Sequence, residues 1–202
     1  LNYNSESFIS NKGLKSDFYI NLKNLNSLGK KTSNYKSSPQ MELISLFNAE
    51  ISLPLKKIDQ NYTNLLTPKL SFRFNPSDMK NYTSSGNIVD VNNIFATNRL
   101  SLSDTFESGR SLTLGLDFKK EKNKSMSSIN KYFEFKLATV LRDKEEEFVP
   151  KKSTLNKKNS NLFGLIHSQL SDNFDLSYKF SLDNDYSTLE YNDINATFSL
   201  NN

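Results

Sequence analysis

The chain has no cysteine and no tryptophan, one histidine, and only 6 Gly and 5 Pro in 202 residues. Without cysteine there is no disulfide framework and no thiolate metal site. The lone His167 sits in a strand-like stretch with Leu165 and Gln169 on its own parity. No second histidine joins it, and no G-x-S-x-G elbow accompanies the abundant serines. The acidic run Glu145-Glu146-Glu147 lacks the ligand spacing of a calcium loop, and so does the pair Asp90 and Asp104. No catalytic constellation is present, and no enzyme, metal or cofactor is expected. No apolar run approaches the ~20 residues of a membrane-spanning helix. No signal peptide and no initiator Met are visible, because Leu1 opens directly into a polar, strand-like segment. The expectation is a fragment whose targeting segment lies upstream.

Apolar residues make up 36% of the chain, which leaves little to fill a water-buried core. Yet 15 Phe and 9 Tyr are present, and disordered chains are poor in aromatics. Frugal hydropathy with many aromatics suits strands that have one apolar and one polar face. The net charge of +4 comes from lysines interspersed with carboxylates and not gathered on a patch, which argues against nucleic acid. The abundance of Asn, Ser and Lys fits an AT-rich genome.

Period-two alternation sets the class. In residues 69–75, Leu70, Phe72 and Phe74 alternate with Lys69, Ser71 and Arg73. In 111–119, Leu112, Leu114, Leu116 and Phe118 oppose Ser111, Thr113, Asp117 and Lys119. In 132–142, Phe133, Phe135, Leu137 and Leu141 oppose Glu134, Lys136 and Arg142. In 174–183, Phe174, Leu176, Tyr178 and Phe180 oppose Asp175, Ser177, Lys179 and Asp183. Weaker candidates are 3–10, 14–24, 41–53 (where Ile44 and Leu46 soften the polar parity), 161–170 and 189–200. No segment has a helical period. The reading is an all-β, antiparallel meander of about nine amphipathic strands, one undivided segment of a large transmembrane outer-membrane β-barrel.

The connections bear on that reading. Short ones fall at 11–13 and 171–173, and turns are expected near 56–62 and 120–131. Long ones fall at 25–39, 76–94 and 143–159. Length thus mostly follows parity, as when short turns face the periplasm and long loops face outside. The short connection 184–188 breaks that rule. A soluble β-sandwich binding module also alternates, but normally with Gly or Pro at its turns. That sandwich and a general porin remain alternatives.

If the apolar parity meets lipid, the polar parity lines the lumen. Lys69, Arg73, Lys119, Lys136, Arg142 and Lys179 would then point inward, together with Asp17, Asp117, Glu134, Asp175 and Asp183. Such a lining is either a path for an anionic amphiphile or a hydrated wall of cross-strand ion pairs. Phe74, Phe118, Tyr132 and Phe174 are candidates for interfacial girdles.

The most distinctive passage is 88–109. It mixes Ile94, Phe95 and Phe106 with charged residues, so it is expected to fold back on protein. Here Asp90, Asn93, Phe95, Asn98, Arg99, Asp104, Glu107 and Gly109 resemble the D-x-x-N-x-F-x-x-N-R-x-x-G-x-D-R-x-E-x-G passage of the LptD family of lipopolysaccharide-assembly proteins. The P-K-L-S-F-R-F-N-P strand at 68–76, the Leu53-Pro54-Leu55 turn, Asn161-Leu162-Phe163-Gly164 and the 175–183 strand agree in order, from about Glu42 to the end. Leu102 and Thr105 depart from the common Gly and Arg. The resemblance implies a barrel filled by an LptE-like lipoprotein plug. Such a barrel receives lipopolysaccharide from a periplasmic bridge, through an N-terminal jellyroll not evident here, and passes it into the outer leaflet.

Overall fold

The computed structural model describes residues 1–29, 38–123 and 132–199. It is all β: eleven antiparallel strands in one sheet, with no α-helix among the described residues. The strands are β1 (Asn2–Asn4), β2 (Phe8–Ile9), β3 (Lys15–Ser27), β4 (Gln40–Ser52), β5 (Leu55–Ile58), β6 (Tyr62–Asn75), β7 (Gly109–Lys122), β8 (Tyr132–Arg142), β9 (Leu162–Ser171), β10 (Phe174–Leu182) and β11 (Leu189–Phe198). Nine follow one another across the sheet, while β2 pairs with β3 and β5 with β6. The order is that of a meander, and β1 and β11 are its two edges. The end of the 189–200 candidate, Leu200, lies outside the described residues.

Three departures from expectation have backbone causes. The 3–10 candidate is split into β1 and β2, because pairing with β3 slips by one residue: Asn4 faces Tyr19, whereas Phe8 faces Ser16. The Leu53-Pro54-Leu55 segment is not a turn. Ser52 faces Lys69 and Leu55 faces Leu66, so β4 and β5 continue in one register along β6. Pro54 and Pro68 lack the N–H that a ladder needs, so they interrupt the bonding without turning the chain. The reversal expected over 56–62 narrows to a tight turn closed by Asp59 N–H donating to the Tyr62 carbonyl at 2.8 Å. As a result β6 begins at Tyr62, well before the alternation at 69.

The sheet has two unlike faces. Phe18, Leu43, Phe47, Phe72, Leu114, Phe133, Leu141, Ile194 and Phe198 stand exposed on one. No second sheet among the described residues covers them, so the packing is not that of a sandwich. The buried core lies on the opposite, polar face. Ala138 and Val140 of β8 and Phe163 and Leu165 of β9 pack there against Met79, Val89, Val91, Ile94, Leu100 and Leu102 of the 76–108 connection. Val149 and Leu155 of the 143–161 connection complete the cluster. A smaller cluster joins Ile44 and Leu46 of β4 to Phe106. The two long connections therefore form one folded cap on the polar face, at one end of the strands. A single 3-10 turn, Lys151–Ser153, lies within it.

Candidate functional site

The site is the seam between cap and sheet. The first part of the 76–108 connection is shaped by short polar side chains. The Asp90 carboxylate accepts from the backbone N–H of Asn92 and Asn93, and Asn93 Oδ1 accepts from Asp90 N–H at 2.9 Å. Such Asx turns give the backbone local partners where no strand is available. Asn98 closes the next turn, accepting from Leu102 N–H at 3.0 Å and donating to the Leu102 carbonyl at 2.9 Å. These turns carry Ile94 and Leu100 into the core and leave Arg99 beneath the loop.

Arg99 is the largest fully buried side chain among the described residues. Its Nε and Nη2 donate to the two carboxylate oxygens of Glu107 at 2.8 and 2.7 Å. Nη1 donates to Thr113 Oγ1 at 2.9 Å, and Nη2 also to Ser111 Oγ at 3.0 Å. A planar fork matched to a carboxylate is the geometry for which arginine is suited and lysine is not. Arg142, from the end of β8, donates to the same Glu107 and to the Ser108 carbonyl at 2.6 Å. Arg73 of β6 is buried beside them and donates to the carbonyls of Ala96 and Thr97 at 2.8 and 2.6 Å. Burial works to raise the Glu107 carboxyl, but the guanidiniums of Arg99 and Arg142 outweigh it and hold it at about 2. Three strands thus grip the loop through a nearly dry ion cluster.

Two glycines serve the same seam. Gly109 opens β7 at φ +78°, a left-handed conformation costly to residues with a Cβ. Gly115 on the capped face leaves room for Phe95, since a Cβ there would lie 2.6 Å from the Phe95 ring. Farther out, Lys80 pairs with Asp104 at 3.2 Å, and the Tyr82 hydroxyl donates to the same carboxylate. Burial tends to raise the Asp104 carboxyl, but the Tyr82 and Lys80 contacts bring it below its usual range. Lys23 donates to the Ser103 carbonyl at 3.1 Å and lies over the Phe106 ring. The two connections also bond to each other: Tyr82 N–H donates to the Phe148 carbonyl at 2.9 Å, and Ser108 to Glu146.

The eight loop-motif residues therefore take different parts. Arg99, Glu107 and Gly109 meet at the ion cluster, Asp90, Asn93 and Asn98 shape the loop, Phe95 docks on Gly115, and Asp104 ties the outer rim. The six basic strand residues divide in two. Arg73 and Arg142 are covered by the cap, whereas four lysines pair with carboxylates: Lys69 with Asp117, Lys119 with Glu121, Lys136 with Glu134 and Lys179 with Asp90. Tyr132, expected among interfacial aromatics, instead lies on the polar face, edge-on to His167 at 5.1 Å. His167 in turn contacts Asp175 at 2.8 Å. Among the described residues no group of three or more His, Asp or Glu could hold a metal. Among the described residues no helix is long and apolar enough to cross a membrane, which has no bearing on strands.

The joining of Arg73, Arg142, Ser111 and Thr113 to the loop was missed in sequence. A signal existed: apolar residues break the polar parity at Ile44, Leu46, Ala138, Val140, Phe163 and Leu165, where the cap lands. A model of the LptD family, described as LPS transport system D, matches residues 3–202. No curated protein matches the chain.

Proposed function

The chain belongs to the LptD family, LPS transport system D, and from that membership we propose that it forms an arc of the wall of an outer-membrane β-barrel. In this reading the barrel receives lipopolysaccharide from the periplasm and delivers it to the outer leaflet. The apolar face meets lipid, the capped polar face lines the lumen, and the cap marks the outer end. Both edge strands continue into further wall. The observation that carries the reading is the division of one sheet into an apolar face that no other described residues cover and a polar face bearing a folded insert. A water-soluble sheet buries its apolar face first, so the reverse arrangement supports lipid as the second layer.

The lumen reading also gives the lysines a task. Paired with carboxylates, they make a hydrated lining of mixed charge, over which an anionic lipid passes without being held by any single fixed charge. An LptE-like plug and a periplasmic bridge are the partners this role calls for. The test is fractionation of the full-length protein in a Gram-negative host, together with measurement of surface lipopolysaccharide on depletion. We expect detergent-dependent recovery from the outer membrane and loss of surface lipopolysaccharide. Recovery as a soluble periplasmic monomer would sink the reading.

A further inference from the structure

The cap does not seal fully against β9–β11. A cleft of about 370 Å³ remains between the 88–91 segment, the 151–154 segment and the capped face of these strands. That volume lies in the range of small-molecule sites. Its wall is apolar where Val89, Val91, Phe163 and Tyr191 meet. Its polar groups are unevenly matched. Asp90 is engaged by Lys179 at 3.6 Å, and Glu190 accepts from Asn161 at 2.6 Å. Lys151 and Lys152, also on the cleft, have no carboxylate partner among the described residues. Thr154 lines the same cleft, and its Oγ1 is the one buried side-chain polar atom among the described residues without a hydrogen-bond partner. An apolar slot thus ends at two uncompensated ammonium groups.

We propose that this cleft holds one acyl chain of an anionic lipid, with the chain against Val89, Val91 and Phe163 and the headgroup at Lys151 and Lys152. The claim rests on the transport reading only for the source of such a lipid. Binding is measured on purified full-length protein in neutral detergent, without any transport step, so its failure leaves the transport test untouched. The probe is a dodecyl phosphate carrying a photoactivatable group on its chain, with a maltoside-headed analogue of the same chain as comparison. Adducts are mapped by mass spectrometry. We expect them on residues 88–91 and on Tyr191, at levels that fall roughly tenfold for the maltoside head and for K151E/K152E. Ile88 is 61% exposed at the mouth, so I88W should narrow the cleft and cut labelling without disturbing the core. Equal labelling by both heads, or adducts confined to the apolar face at Phe72, Leu114 and Phe133, would overturn the proposal.

Discussion

Glu107 is the residue on which the cap turns. It is the only carboxylate bonded to two buried guanidiniums, Arg99 and Arg142, among the described residues. A buried pair is weak evidence of net stability, but removing one partner strands the other charge. Glu107→Ala should therefore destabilise the cap by about 3–5 kcal/mol, read as faster proteolysis within 82–102 while the strands stay resistant. Arg99→Lys keeps the charge and loses the fork, and should cost roughly 1.5–3 kcal/mol in the same assay. The pH response follows from the depressed carboxyl. A folded value of about 2 against an ordinary 4.5 means the contribution is complete above about 4.5 and is lost as pH falls toward 2. Amide exchange in the cap should accelerate across that window in the wild type and not in Glu107→Gln, whose cap should be loose throughout. A wild-type cap equally protected at pH 2.5 and 7 would refute the assignment. Gly115→Ala puts a methyl into the Phe95 ring, and overpacking of that kind costs about 1–3 kcal/mol.

At the scale of the elements, the strands were legible because their information is local. Alternation in 111–119 and 132–142 needs no knowledge of neighbours, and β7 and β8 contain those spans. Pro54 and Pro68 misled because a proline reads as a break, yet here they sit on adjacent rungs, Pro68 accepting from Leu53 N–H at 3.1 Å, inside a register that continues past them. Phe180 lies over Gly164 on the apolar face, where a Cβ at Gly164 would come within 2.0 Å of the ring. An aromatic covering a cross-strand glycine protects backbone that a period count cannot see. The division of faces makes a paired prediction. Leu114→Arg places a charge on the apolar face of β7, at a cost of about 2–4 kcal/mol if it lies near the bilayer midplane. Ser177→Arg places the same charge on the polar face of β10, across from His167 and Asn195. The first should abolish recovery of the full-length protein from the outer membrane, and the second should leave it intact. Equal tolerance of both would remove the lipid assignment of the apolar face.

At the scale of the whole molecule, the cap is where sequence reasoning stopped short. That residues 88–109 fold back could be expected from their apolar content. What they fold against could not, because Arg99 finds Thr113, Ser111 and Glu107, and Arg142 arrives from another strand. Nor did anything in residues 143–161 announce that Val149 and Leu155 would be fully buried under the other loop. Their burial means the two connections share one core and should fold together. Replacing residues 145–157 with a short Gly-Ser linker removes both side chains, each worth about 2–5 kcal/mol if truncated in a packed core. The turns at Ile94, Ala96 and Ser101, whose N–H groups donate to Asp90, Asn93 and Asn98, should then lose at least two orders of magnitude of exchange protection. The β6–β7 ladder, bonded along fourteen residue pairs from Tyr62–Lys122 to Asn75–Gly109, should keep its protection. If the turns stay protected, the Arg99–Glu107 cluster alone holds the 76–108 connection and the caps are two. If the β6–β7 ladder also opens, the cap supports the wall itself, and the insert stabilises the barrel as well as occupying its lumen.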